Sequence, residues 1–109
     1  MIINLDDFKK IEMKVGEIKS ADKLENSEKL LKLSVDFGEE NERQVISGIA
    51  GFFPDPNSLL GKRCAFVTNL EPKMIMGYES QAMILAASTE HELSVFQVAD
   101  EIPVGTLIR

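Results

Sequence analysis

Leu31, Leu33, Val35 and Phe37 alternate with Lys32, Ser34 and Asp36, which is the clearest two-residue period in the chain and predicts a half-buried strand. The alternation turns Lys32 away from the apolar face, leaving its amine free for a phosphate. Upstream, Met13 and Val15 alternate with Lys14 before Gly16 interrupts, the pattern of a strongly bent strand with a bulge at the glycine. The charged loop from Gly38 to Glu42 predicts a hairpin into a strand over Arg43 to Ser47. Pro54-Asp55-Pro56-Asn57 predicts the start of a short helix that runs through Leu60 and ends at Gly61. Strands are expected over Arg63 to Thr68 and over Ser80 to Ala87, the latter as one buried run. Near the start, Asp6 is placed to cap a short helix that carries Phe8 and Ile11 onto the core. Five short strands, with the one substantial helical piece between the third and fourth, predict an all-β barrel. Pattern alone leaves an OB-fold and a small SH3-like barrel both open.

Length and composition narrow the picture. The 109 residues fit a single domain, 1–109, with an apolar fraction of 44% and a charged fraction of 28%, as in ordinary globular proteins. No apolar run approaches the roughly 18 residues of a membrane span, and the start lacks a basic leader, so neither membrane nor export is expected. Cys64 is the only cysteine; its apolar context predicts a buried free thiol and fits a reducing, cytoplasmic setting. Twelve basic and eighteen acidic residues give a net charge of −6, which argues against a broad electropositive footprint. Phosphates respond to local potential within about 8–10 Å, so the charge predicts lowered affinity for nucleic acid, not its absence.

Catalytic chemistry has no foothold in the pattern. The single histidine, His91, lies in Thr89-Glu90-His91-Glu92 with no second ligand at metal-binding spacing. Gly48, Gly51 and Gly61 do not fit a phosphate-binding glycine loop. A non-catalytic binding module with no cofactor and no metal is expected.

The most informative stretch is Asn69 to Ser88. Asn69, Ser80 and Gln81 are uncharged hydrogen-bonding groups at the ends of turns, suited either to capping those turns or to reading an RNA surface. Met83 suits a core position as well as a soft contact to a base or sugar. With no Trp and one Tyr, Tyr78 is the one credible stacking platform.

This stretch resembles the signature of the tRNA-binding domain found at the carboxyl end of many methionyl-tRNA synthetases and in free-standing tRNA-binding proteins. The resemblance extends from about Phe8 to Arg109. Ile11 to Ile18 is similar to the family's first strand, Lys29 to Asp36 to its second, and Arg43 to Ile49 to its third. It implies a five-stranded OB-fold with a short helix between strands 3 and 4 and a carboxyl-terminal extension. It also implies recognition of tRNA by shape, in the manner of a detached beta subunit serving a separate methionyl-tRNA synthetase catalytic subunit. The residues expected to form the tRNA-binding side are Lys32, Arg43, Asn69, Lys73, Ser80, Gln81 and Met83. The extension implies a homodimer, with Val95, Phe96, Ile102 and Val104 at its interface; the competing expectation is that it packs back on its own barrel. Glu71 and Met74 stand where the family commonly carries bases, and Leu24-Glu25 replaces its usual His-Pro pair. The alternative function is a protein-binding dimer resembling the secretion-associated chaperone of the same fold.

Overall fold

The computed structural model describes all residues from Met1 to Arg109. A short helix α1 (Leu5–Phe8) precedes the long strand β1 (Met13–Lys23), followed by β2 (Leu31–Asp36) and β3 (Arg43–Ser47). Two 3₁₀ turns, Ala50–Phe52 and Pro56–Leu59, lead to β4 (Arg63–Val67). The remainder is a series of short strands: β5 (Lys73–Ile75), β6 (Tyr78–Ser80), β7 (Met83–Ile84), β8 (Ala86–Ser88), β9 (Leu93–Val95) and β10 (Leu107–Ile108). The main sheet runs β3-β2-β1-β4-β7, with β10 also on β1. It curls into a nearly closed barrel of the OB type.

β1 makes this possible by bending. Its first half pairs with β4 (Met13 opposite Val67) and its second half with β2 (Lys23 opposite Leu31), so one strand serves both sides of the barrel. The register shifts between Ile18 and Ser20, which places the bulge there and not at the expected Gly16. Gly16 has a different duty. A Cβ on it would stand 2.6 Å from side-chain atoms of Phe37 and Val35, so glycine is needed for the sheet to press against them.

The alternating side chains of β2 behave as their period predicts: Leu31, Leu33 and Val35 are fully buried, and Lys32, Ser34 and Asp36 are not. They pack with Ile18, Val45, Leu59, Cys64 and Phe66 in a single cluster, each large side chain contributing about 1.5–3 kcal/mol by leaving water. Phe37 meets Phe66 edge-on at 5.2 Å and 85°. Burial pushes the Cys64 thiol up to about 11, so it stays protonated at neutral pH.

Several local expectations give way to the structure. The piece after Pro54 is a 3₁₀ turn over Pro56–Leu59, capped by the Asp55 carboxylate on Asn57 N–H at 3.0 Å; its role is to send Leu59 into the core. Asn4, not Asp6, caps α1, its side chain accepting from Asp7 N–H at 2.8 Å. That helix buries nothing, and Phe8 and Ile11 remain 41% and 44% exposed. The run Ser80 to Ala87 is not one strand but parts of three. β7 stays with β4 in the barrel, while β8 leaves it to pair with β9 of the extension.

The extension returns along β4 and β1. Val98 N–H donates to Arg63 O at 2.8 Å, Ala65 N–H to Phe96 O at 3.0 Å, and Gly105 N–H to Val15 O at 2.8 Å. Arg63 clasps the turn by donating to Asp100 O and Ile102 O at 2.7 and 2.6 Å. Val95, Ile102 and Val104 are half-buried by this packing, but Phe96 stays 53% exposed.

Candidate nucleic-acid interface

A sheet that curls into a barrel must join its two edges, and here polar side chains do much of the joining. Gln81 N–H donates to Gln44 O at 2.8 Å, and the Gln81 side-chain oxygen accepts from Gln44 N–H at 2.8 Å. The pair of bonds imitates one rung of an antiparallel ladder, with a side chain replacing one backbone carbonyl. One rung further, the buried Ser80 hydroxyl accepts from Ile46 N–H at 3.0 Å and donates to Ala82 O at 3.1 Å. Gln44 adds a bond from its side-chain nitrogen to Glu79 O at 3.0 Å. Barrel closure therefore supplies a folding reason for uncharged polar groups to gather here.

Arg43 reinforces the same seam. Its Nη1 donates to Thr68 O at 2.7 Å and to Gln81 O at 3.2 Å, while Nε and Nη2 fork onto Glu39 at 2.9 and 2.8 Å. The Arg43 hydrogen bond holds the Glu39 carboxyl below its ordinary value, and Glu39 in turn raises Arg43. Asn69 faces elsewhere: its Oδ1 accepts from Glu12 N–H at 2.8 Å and its Nδ2 donates to Lys10 O at 2.7 Å, tying the amino-terminal segment to the loop after β4. Arg43, Asn69, Ser80 and Gln81 are thus engaged within the fold, with all but Asn69 along the closing seam.

The groups left with free capacity are the cations and the soft side chains. The Lys32 amine lies 5.4 Å from the centroid of the Tyr78 ring, a cation over an aromatic face, and forms no salt bridge. Lys73 is exposed on β5 opposite Ser80. Met83, opposite Val67, is 46% exposed and so is not a core methionine. Met74 and Met76 are exposed on the β5–β6 hairpin, whose turn holds Met76 at φ 50° and Gly77 at φ 84°. Ile75 and Tyr78 pair directly across this turn, and a two-residue hairpin turn takes positive φ at both of its positions.

Between Lys32 and the seam lies an open polar cleft of about 390 Å³, lined by Ser20, Asp22, Lys32, Ser34, Glu42, Gln44 and Gln81. Ser20, Asp22 and Gln44 are not among the expected site residues; they join Lys32 and Ser34 because Asp22 pairs with Lys32, and Ser20 and Gln44 both pair with Ser34, and directly paired residues share a face. A separate apolar groove of about 610 Å³ is formed by Val15, Leu85, Phe96, Val98, Ile102 and Ile108, among others. A smaller one continues it past Leu107 to Phe8 and Ile11. No helix is long and apolar enough to cross a membrane.

Methionine–tRNA ligase of Lactococcus lactis is 47% identical over 107 residues, covering 97% of this chain but 16% of the relative; that of Enterococcus faecalis is 45% identical over 104 residues, covering 94% and 16%. The chain thus spans about a sixth of the length of these relatives. Among solved structures, a MetRS-related protein from Pyrococcus horikoshii superposes with a TM-score of 0.92 at 43% identity, covering 100% of this chain and 99% of that one. The chaperone CsaA from Bacillus anthracis superposes with a TM-score of 0.88 at 25% identity, each chain covered in full. The family model described as "Putative tRNA binding domain" matches residues 13–107. With that match over most of its length and the barrel that carries it, the chain belongs to the tRNA-binding domain family related to the carboxyl-terminal part of methionyl-tRNA synthetase.

Proposed function

We propose that this chain is a non-catalytic, cytoplasmic tRNA-binding module that recognises tRNA by shape and acts in trans for a separate methionyl-tRNA synthetase catalytic subunit. The observation that carries the reading is the arrangement at the barrel seam. Lys32, held over Tyr78 and outside any salt bridge, and the exposed Lys73 and Met83 lie on the strands that the closing seam joins or borders. Lys32 and Lys73 meet phosphates, and Met83 gives an apolar contact to a base or sugar. Arg43, Ser80, Gln81 and Asn69 contribute to tRNA binding chiefly by holding the strands and loops that present these groups. Bringing tRNA to a catalytic subunit raises its effective concentration there without any chemistry in this chain.

Two copies would present two such faces, and the apolar groove running from Phe96 to Phe8 is the surface on which they pair. The second reading, a protein-binding dimer, is favoured by one observation: the CsaA chaperone covers the whole chain at a TM-score of 0.88.

Electrophoretic mobility shift of total tRNA at low and moderate salt separates the two. A shift at low salt that weakens with salt is expected, and Lys32→Ala weakens it for all tRNAs while lowering the salt slope by about one unit. Lys62→Ala leaves the shift unchanged. No shift at low salt with micromolar protein excludes tRNA binding.

A further inference from the structure

The polar cleft beside Lys32 is poorly suited to the phosphate chemistry proposed for its rim. Asp22 and Glu42 both line it, and a phosphate seated inside would face two carboxylates. One oxygen of Glu42 accepts from the Ser34 hydroxyl at 2.6 Å. Gln44 has its amide nitrogen on Glu79 O, which leaves its side-chain oxygen as an acceptor. The interior is therefore rich in acceptors with a single strong donor, the Lys32 ammonium. Asp22 and Lys32 are directly paired across β1 and β2, so carboxylate and amine stand on one face next to each other without forming a salt bridge. At the rim, the Tyr78 ring lies under the same amine.

We infer that this cleft takes one unpaired guanine of the bound RNA. Guanine presents an acceptor, O6, beside two donors, N1–H and the 2-amino group. Lys32 donates to O6, and the carboxylates of Asp22 and Glu42 accept from the donor edge. Adenine and cytosine each present one amino donor beside an acceptor that would face a carboxylate, and uracil presents a single N–H between two carbonyls. Tyr78, whose ring the Lys32 amine covers, borders the seated base and reports on it. The ammonium has three N–H groups, so contact with O6 leaves it able to hold a flanking phosphate as well. This inference rests on the RNA-binding reading and adds to it a base read within a shape-recognising surface.

The chain contains one tyrosine and no tryptophan, so intrinsic tyrosine fluorescence reports on Tyr78 alone. Single-stranded RNA pentamers with G, A, C, U or inosine at the centre of a uridine context are titrated against the intact protein, next to total tRNA. The guanine pentamer is expected to quench with a Kd roughly ten-fold below those for A, C and U. Inosine, which lacks the 2-amino group, falls in between. Asp22→Asn combined with Glu42→Gln brings all five pentamers to a common Kd. Equal Kd values in the native protein, with tRNA still bound, overturn the guanine site and leave the tRNA-binding module standing. Loss of all RNA binding, tRNA included, overturns both. The inosine comparison needs no variant, so a double substitution that fails to fold does not rescue the idea.

Discussion

Ser80 shows how a single hydroxyl acquires a structural duty that resembles a recognition duty. It is buried, accepts from Ile46 N–H and donates to Ala82 O, so replacing it leaves a backbone donor without its partner inside the barrel. Ser80→Ala is expected to cost about 1–3 kcal/mol in urea unfolding. An unchanged midpoint would show that the seam closes without it. Arg43 and Glu39 make a related point through charge. Glu39 is held below its ordinary value of 4.5 mainly by the Arg43 hydrogen bond, so the ionised form is favoured by folding. A carboxylate with a depressed folded pKa stabilises above its unfolded pKa, and that stability disappears as pH falls through the folded value. Thermal melts from neutral pH down to about pH 3 should therefore fall less steeply below pH 4.5 for Glu39→Gln than for the native chain. Identical acid limbs would remove Glu39 from the account. Glu12 and Glu17 are lowered too, by Thr68 and by Lys19 with Arg63, so the variant flattens the limb without abolishing it.

At the scale of elements, what was legible in the sequence depended on whether a segment's partners were local. The β2 alternation needed only one buried face, and Leu31 to Phe37 carried that signal in full. The bend of β1 was readable as a bend but not as a location. Gly16 advertises freedom in the sequence, yet it is held tight by Phe37 and Val35, and the actual bulge at Lys19 has no special residue to mark it. The apolar run Ser80 to Ala87 reads as one strand because periodicity cannot see that its two ends answer to different sheets, β4 on one side and β9 on the other. For the site, residue types were legible and roles were not. Asn69, Ser80 and Gln81 stand out as polar groups near turns, but the partners that tie them across the fold, Glu12, Lys10, Gln44 and Ile46, lie 34 to 59 positions away in sequence. Lys32 was placed correctly on the outer face by alternation alone, whereas its seat on Tyr78 depends on the β5–β6 hairpin folding over β2.

At the scale of the whole molecule, the unresolved tension is between a barrel that is complete and a surface that is not. The extension satisfies its backbone on β4 and β1, so nothing in its hydrogen bonding requires a second chain. Side chains on it and beside it nevertheless remain uncovered. Phe96 and Leu107 are 53% and 52% exposed, Phe8 and Ile11 exceed 40%, and they border two adjoining apolar grooves. Large contiguous apolar patches on a protein surface mark interaction sites, and a two-fold axis lets one such patch cover itself. Val95, Ile102 and Val104 are already half-buried within the chain, which makes Phe96 the member of the expected interface with most to lose. Sedimentation equilibrium at micromolar concentration should give twice 12.1 kDa for the native chain and 12.1 kDa for Phe96→Asp, with far-ultraviolet circular dichroism unchanged. A charge at the centre of an apolar contact costs far more than the same charge at its rim, since burial strips its water without offering a partner. A native monomer would refute the dimer directly. A folded Phe96→Asp variant that still sediments as a dimer would instead move the interface away from the groove, and with it the reason those side chains remain uncovered.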